Sequence, residues 1–209
     1  YCQRRRAFVI PVWDKDSNLL TFRFRRDDSR HQKVLMGRGE SRQVKAFKCP
    51  HYFGIKGRNQ PMLYNIRSLA DACICVIVFG ELKALLAEAM LSRFTSPSGQ
   101  EYCMKVGAVS PTNGAGAFMP HFVEMLEHVP HRFVIPDVGE EEKARHVAKM
   151  VDGKVVFLPL DVKARNADLT DWAQDGGSGY QLLSLIENFA LAPDEVFWGY
   201  DRPTIDWKR

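Results

Sequence analysis

The sequence predicts an α/β protein, a mostly parallel sheet flanked by helices and preceded by a small, basic, β-rich subdomain. Three observations carry this. From residue 73 onward, apolar runs of strand length alternate with stretches of helical periodicity. Before residue 60 the apolar runs are β-rich and are joined by polar turn clusters. Charge is also segregated: residues 1–60 hold 15 Lys and Arg against 5 Asp and Glu, net +10, and the remainder holds 14 against 20, net −6.

The 209 residues, 45% hydrophobic and 26% charged, exclude a disordered or fibrous chain. No apolar stretch approaches the roughly 20 residues a bilayer needs, and Arg4, Arg5 and Arg6 lead into no signal-peptide run. A soluble protein with no membrane partner is expected. The five cysteines are an odd number, and Cys73 and Cys75 lie in an apolar run, so free thiols in an intracellular, reducing compartment are expected. Both read as small buried hydrophobes rather than zinc ligands.

In chain order, residues 7–13 and 19–25 form a hairpin about the turn Asp14 to Asn18. Lys33 to Met36 is a candidate third strand, Met36 to Arg42 a glycine-broken basic loop, and Cys49 to Leu63 a connection. Cys73 to Phe79 is a strand covered on both faces, and Leu82, Leu85, Leu86, Ala89 and Met90 mark one face of the helix after Gly80. Met104 to Val109 is a second strand, followed by the loop 111–116 and a helix bearing Phe118, Phe122 and Leu126. Phe133 to Pro136 is a third strand, Glu140 to Met150 a helix, and Lys154 to Leu160 a fourth strand. A polar loop from Val162 to Asp171 leads to a last helix with Leu182, Leu185, Ile186 and Phe189. Ligand sites in such sheets lie at the carboxyl ends of the strands.

Four places at those ends carry a resemblance. Val76-Ile77-Val78-Phe79-Gly80-Glu81-Leu82-Lys83-Ala84-Leu85 resembles the pattern V-x-V-E-G-x-x-D-A-L, and Val109 to Gly116 a glycine-bearing loop. Ile135-Pro136-Asp137-Val138-Gly139-Glu140 resembles a D-x-D-E strand end, and Asp168-Leu169-Thr170-Asp171-Trp172 a K-D-x-N-D-W segment. Their order resembles the TOPRIM domain of bacterial and phage-type DNA primases, a domain shared with topoisomerases and some nucleases. Upstream, Val9 to Asp14 with Asn18 and Arg23 resembles the start of the basic subdomain of the primase core, and Leu63-Tyr64-Asn65-Ile66 its close. The resemblance covers roughly residues 7–190. It implies a primase-like subdomain at 1–66, a TOPRIM-like domain at 67–193 and a tail at 194–209.

Nucleotide joining is in-line displacement at phosphorus, commonly between two divalent metals held by converging carboxylates. The resemblance implies Mg2+ at a first-strand glutamate, two third-strand aspartates and accessory acids. Here Phe79, Gly139 and Lys83 occupy three of those slots, and Asp137 alone matches among the principal three. Asp137, Glu81 and Glu140 are the candidate catalytic acids, and Asp137, Asp168 and Asp171 the candidate metal ligands. Glu81 and Glu140 also suit helix first turns, where the dipole favours acids.

Arg23, Arg25, Arg38, Arg42 and Lys45 are the candidate phosphate contacts, because neutralised phosphates supply most non-specific nucleic-acid affinity. Strand alternation puts Phe22 and Phe24 on one face, read as core, and Arg23 and Arg25 on the other. The expected function is a primase-like module of a DNA replication protein that binds single-stranded DNA or RNA, with metal-dependent primer synthesis impaired or lost. The alternatives are an active DNA primase using NTPs and Mg2+ through rearranged acids and, more weakly, a TOPRIM nuclease. A replicative helicase or another replication protein is an expected partner. Neither the cysteine and histidine spacing of a zinc-binding domain nor a Walker A motif is present, so a fragment or a reduced relative is expected.

Overall fold

The computed structural model describes residues 7–26, 52–55, 57, 60–160 and 167–195. The chain divides into two units, Tyr1–Val12 with Leu19–Gln60 and Trp13–Asn18 with Pro61–Arg209.

The first unit is built on a three-stranded sheet of β1 (Ala7–Trp13), β2 (Leu19–Arg26) and β3 (Tyr52–Gly54), in that order. The expected turn forms between β1 and β2. The Asp14 amide donates to the Asn18 carbonyl at 3.0 Å, and the Asp14 carboxylate accepts from the Asn18 side chain at 2.9 Å and from the Asn18 and Asp16 amides at 2.8 and 2.9 Å. These bonds, the Asn18 side chain first, hold the Asp14 carboxyl below its usual range. β3 lies within the stretch expected to be a connection, because three residues are too few to show a period. It is antiparallel to β2, with Phe24 opposite Phe53 and the two rings stacked at 5.2 Å. The candidate strand Lys33 to Met36 and the loop to Arg42 lie outside the described residues.

The second unit carries β4 (Leu63–Tyr64), β5 (Ile74–Ile77), β8 (Val106–Pro111), β9 (His131–Val134) and β10 (Lys154–Val155) in the order β10-β9-β5-β8-β4. All pairs are parallel except β4 against β8. Leu63 and Tyr64 are therefore part of this larger sheet. Asn65 follows β4 with φ 62°, a left-handed conformation that glycine and asparagine adopt most readily. Its side chain ties the turn to β8 by donating to the Ala108 carbonyl at 2.9 Å.

The helices are α1 (Glu81–Ser92), α2 (His121–Leu126), α3 (Glu141–Met150), α4 (Leu169–Gln174) and α5 (Gly179–Phe189). Cys75, Val76, Ile77 and Val78 are all buried, as expected for a central strand with both faces covered. Cys75, Ile77 and Phe79 join one core with Phe118, Phe122, Ala144, Val147 and Val151. Burial pushes the Cys75 thiol up to about 12, so it serves as an inert hydrophobe, whereas Cys73 lies before the strand and is exposed, contrary to expectation.

Four elements depart from the sequence reading, and one of them is α4, which begins at Leu169 inside the stretch expected to be a polar loop. A small antiparallel pair, β6 (Arg93–Thr95) and β7 (Glu101–Cys103), follows α1 where no strands are expected. In α1 the buried residues are Glu81, Ala84, Ala87 and Leu91, while Leu85 is 42% exposed. The small alanines permit close packing of α1 on β8, with Leu91 buried and Leu82 and Leu86 only partly covered. A fourth strand from Lys154 to Leu160 is realised only as Lys154–Val155, continued by one bond from the Val156 amide to the Val134 carbonyl at 2.9 Å.

Candidate functional site

The strand ends of the second unit bring together Lys83, Asp137 and Asp168. β5 stops at Ile77, and Gly80 turns the chain into α1 with φ 148°, a value side chains rarely adopt. The Gly80 amide donates to the Ser110 hydroxyl at 2.8 Å, fixing this turn to the end of β8. A Cβ at Gly80 would lie 3.2 Å from Cε of Lys83, so glycine also leaves room for the lysine stem to fold back over the turn.

Asp137 follows β9, whose pairing with β5 extends through the Ile135 amide to the Ile77 carbonyl at 2.9 Å. The Val138 amide donates to the Ala167 carbonyl at 2.9 Å, which draws the start of α4 to the end of β9. Asp168 is the N-cap of α4. Its carboxylate accepts the Thr170 amide at 2.6 Å and the Asp171 amide at 3.3 Å, and the Asp171 carboxylate accepts the Asp168 amide at 2.9 Å. This is a reciprocal capping box with aspartate at both positions.

Between the two acids stands one cation. Nζ of Lys83 is 2.5 Å from Oδ2 of Asp137 and 3.0 Å from Oδ2 of Asp168. All three side chains are largely covered, at 14%, 19% and 20% exposure. Burial raises the Asp137 carboxyl to about 6 against the pull of the Lys83 charge and hydrogen bond. At Asp168 burial is outweighed by the Lys83 charge, its hydrogen bond and the two amides, so that carboxyl sits below its usual range. Both are therefore carboxylates at neutral pH.

The remaining candidates are placed as follows. Glu140 pairs with Lys143 at 2.8 Å and lies at the N-cap of α3. Glu81 opens α1 and is buried. Gly139 has φ 94°, so the slot that the resemblance gives to an aspartate is a turn that favours glycine. Phe79 is 5% exposed and belongs to the core. Among the described residues, no group of three or more His, Cys, Asp or Glu is placed to hold a metal ion. The donor set does not fit Mg2+, because the two acids that converge share an ammonium, while Asp171 closes the capping box of α4 and Glu140 pairs with Lys143.

In the first unit, Arg23 is 8% exposed and Arg25 half-buried, while Phe22 and Phe24 are half-buried. The expected division into an aromatic core face and an open arginine face is corrected accordingly: the face of Thr21 and Arg23 is the more covered one. Arg38, Arg42 and Lys45 lie outside the described residues. Sequence reasoning placed Lys83 at an acid's slot and missed that it joins Asp137 to Asp168. The available signal was a lysine in a helix first turn, where the dipole disfavours a cation.

Neither a protein family nor a curated protein matches the sequence. Solved structures do match. The zinc-binding and RNA polymerase domains of the Aquifex aeolicus primase align with TM-score 0.56 and 14% identity over 87% of this chain and 40% of that one. The catalytic core of the E. coli primase aligns with TM-score 0.57 and 13% identity over 91% of this chain and 54% of that one. A chain of a bacteriophage T7 assembly, in which lagging-strand DNA polymerase interacts with primase domains bound to an RNA/DNA hybrid and dTTP, aligns with TM-score 0.57 and 13% identity over 91% and 86%. The chain thus spans about half or less of the two bacterial structures and most of the phage chain. No helix among the described residues is long and apolar enough to cross a membrane. The fold of this chain is similar to that of part of the DNA primase catalytic core.

Proposed function

We propose that this chain is a primase-like TOPRIM module of a DNA replication protein, that it binds single-stranded nucleic acid, and that its metal-dependent primer synthesis is impaired or lost. The observation that carries the reading is the Lys83 ammonium held between Asp137 and Asp168, where a metal-dependent nucleotidyl transferase needs carboxylate oxygens free for a cation. The partner class is supported by the primase fold, by the T7 assembly in which primase domains engage an RNA/DNA hybrid and a replication polymerase, and by the net +10 of residues 1–60. Arg25, Arg38, Arg42 and Lys45 are the proposed phosphate contacts, with Arg23 supporting the strand from its covered position.

Single-stranded DNA binding, followed by fluorescence anisotropy in magnesium and in EDTA, tests the reading alongside templated NTP incorporation. Affinity is expected to fall with salt at a slope near 0.7 per phosphate neutralised, to be no weaker in EDTA than in magnesium, and to be accompanied by no primer product. Templated product from the unaltered chain would establish the alternative of an active primase with rearranged acids. Salt-independent binding would remove the basic subdomain from the function.

A further inference from the structure

We infer that the ε-ammonium of Lys83 does in this chain what a bound divalent cation does in a metal-dependent site: it holds the end of β9 and the start of α4 together by bridging two carboxylates. The inference deepens the proposed function, on which it rests only for its meaning; its geometry stands alone.

Four observations converge on it. Lys83 bridges acids from two separate segments at 2.5 and 3.0 Å, so one charge links three elements. It does so from the first turn of α1, where a cation faces the positive end of the helix and local physics offers it nothing. Gly80 supplies the space its stem crosses, since a Cβ there would press on Cε of Lys83. The aliphatic stem and the ammonium are largely covered, so the cation is fixed rather than sampling solvent.

A bridging ammonium differs from a divalent ion in three ways that matter for ligands. It carries one charge, so the trio Lys83, Asp137 and Asp168 remains net negative and does not attract a triphosphate. It cannot exchange, so the site is independent of metal supply. It has no coordination position to offer a phosphoryl oxygen, and two of its three N–H donors are already directed to the two acids. Anion binding by the protein therefore falls to groups elsewhere, and magnesium is not a ligand of the native chain.

The test removes the ammonium and asks whether a metal takes its place. Thermal unfolding of the full chain and of Lys83→Ala is measured in EDTA, in millimolar magnesium and in millimolar manganese, without nucleic acid or nucleotides. The parent midpoint is expected not to move with either metal. The midpoint of Lys83→Ala is expected to fall in EDTA and to recover by roughly 5 °C with metal, since a ligand that binds only the native state stabilises it. Lys83→Ala combined with Asp168→Asn leaves one acid and is expected to show no recovery. If Lys83→Ala does not fold in EDTA, refolding it in manganese decides the matter: recovery supports the inference and failure overturns it. A parent midpoint that rises with magnesium, or a Lys83→Ala variant indifferent to both metals, also overturns it. Because no nucleic acid is present, these outcomes are separate from those that test the proposed function.

Discussion

Helices α1 and α4 both begin at the strand ends of the same sheet, and they begin in opposite ways. α4 starts as helix physics prefers: Asp168 caps it, Asp171 closes the box, and both carboxylates sit at the positive end of the dipole. α1 starts on a glycine with no side-chain cap and places the cation Lys83 in its first turn. The acids of α4 are explained locally, whether or not they serve any chemistry. The lysine of α1 is not, and its position is explained only by Asp137 and Asp168 across the turn. The residue that violates the local rule is therefore the one that reports the state of the site.

The largest effect in this comparison is expected at Phe79, the residue before the α1 turn. Phe79→Glu introduces the residue type that the resemblance to primases implies for this position. In this chain it removes a core ring and leaves a carboxylate among Ile77, Phe118 and Phe122, with an expected loss of about 4 kcal/mol or more in urea unfolding. A loss under about 1 kcal/mol would mean that position 79 opens to the acidic pocket.

Next in size is the loss of the bridge. Lys83→Met keeps most of the stem and removes the charge, and is expected to cost about 2 to 3 kcal/mol at neutral pH, since it leaves two covered carboxylates without their cation. Adding Asp137→Asn should return a substantial part of that loss. Additive effects in this double-mutant cycle would show that the two residues do not interact.

The pH dependence follows from the same trio. Asp137 has a folded-state carboxyl raised from 3.8 to about 6, so its contribution is complete below pH 3.8 and is lost as pH rises through 6. That window is worth about 2 to 3 kcal/mol. Asp168 has the opposite sign, contributing above 3.8 and losing its contribution as pH falls below that value. Stability of Asp137→Asn measured across this range should lack the decline between about pH 4 and 6 that the parent shows. An identical slope in both proteins would assign the decline to other groups.

The smallest effect belongs to the ordinary helix start. Asp171→Ala removes one half of the capping box and should cost about 0.5 to 1 kcal/mol, with no change in the response to Lys83 substitution. Coupling between Asp171 and Lys83 would extend the bridge to a third acid.

Much of this was legible in residue patterns. The alternation of apolar runs and helical repeats gave the parallel sheet, and Val76 to Phe79 could be read as doubly covered because all four are apolar. The face of α1 could not be read, because leucines and alanines occupy nearly every side of that helix. Burial was decided by how closely Ala84 and Ala87 let it approach β8. β3, β6 and β7 are three residues each, below the length at which a period of two can be recognised. At the site, Asp137 was placed correctly at a strand end, Asp168 was read as part of a polar loop rather than the cap of a six-residue helix, and an ion pair between residues 83 and 137 is a tertiary fact that no local spacing encodes. Gly139 illustrates the same limit. Its place in the motif read as a lost acid, and only its backbone angle shows that the turn itself asks for glycine.

The most direct measurement of the central claim is a crystal of the native chain grown in manganese, with diffraction recorded above the manganese absorption edge. The account predicts no anomalous peak within reach of Asp137 and Asp168, and Nζ of Lys83 in hydrogen-bonding contact with both carboxylates. A peak about 2.1 to 2.2 Å from either carboxylate, with Lys83 turned away, would show that the lysine yields to metal and would contradict it.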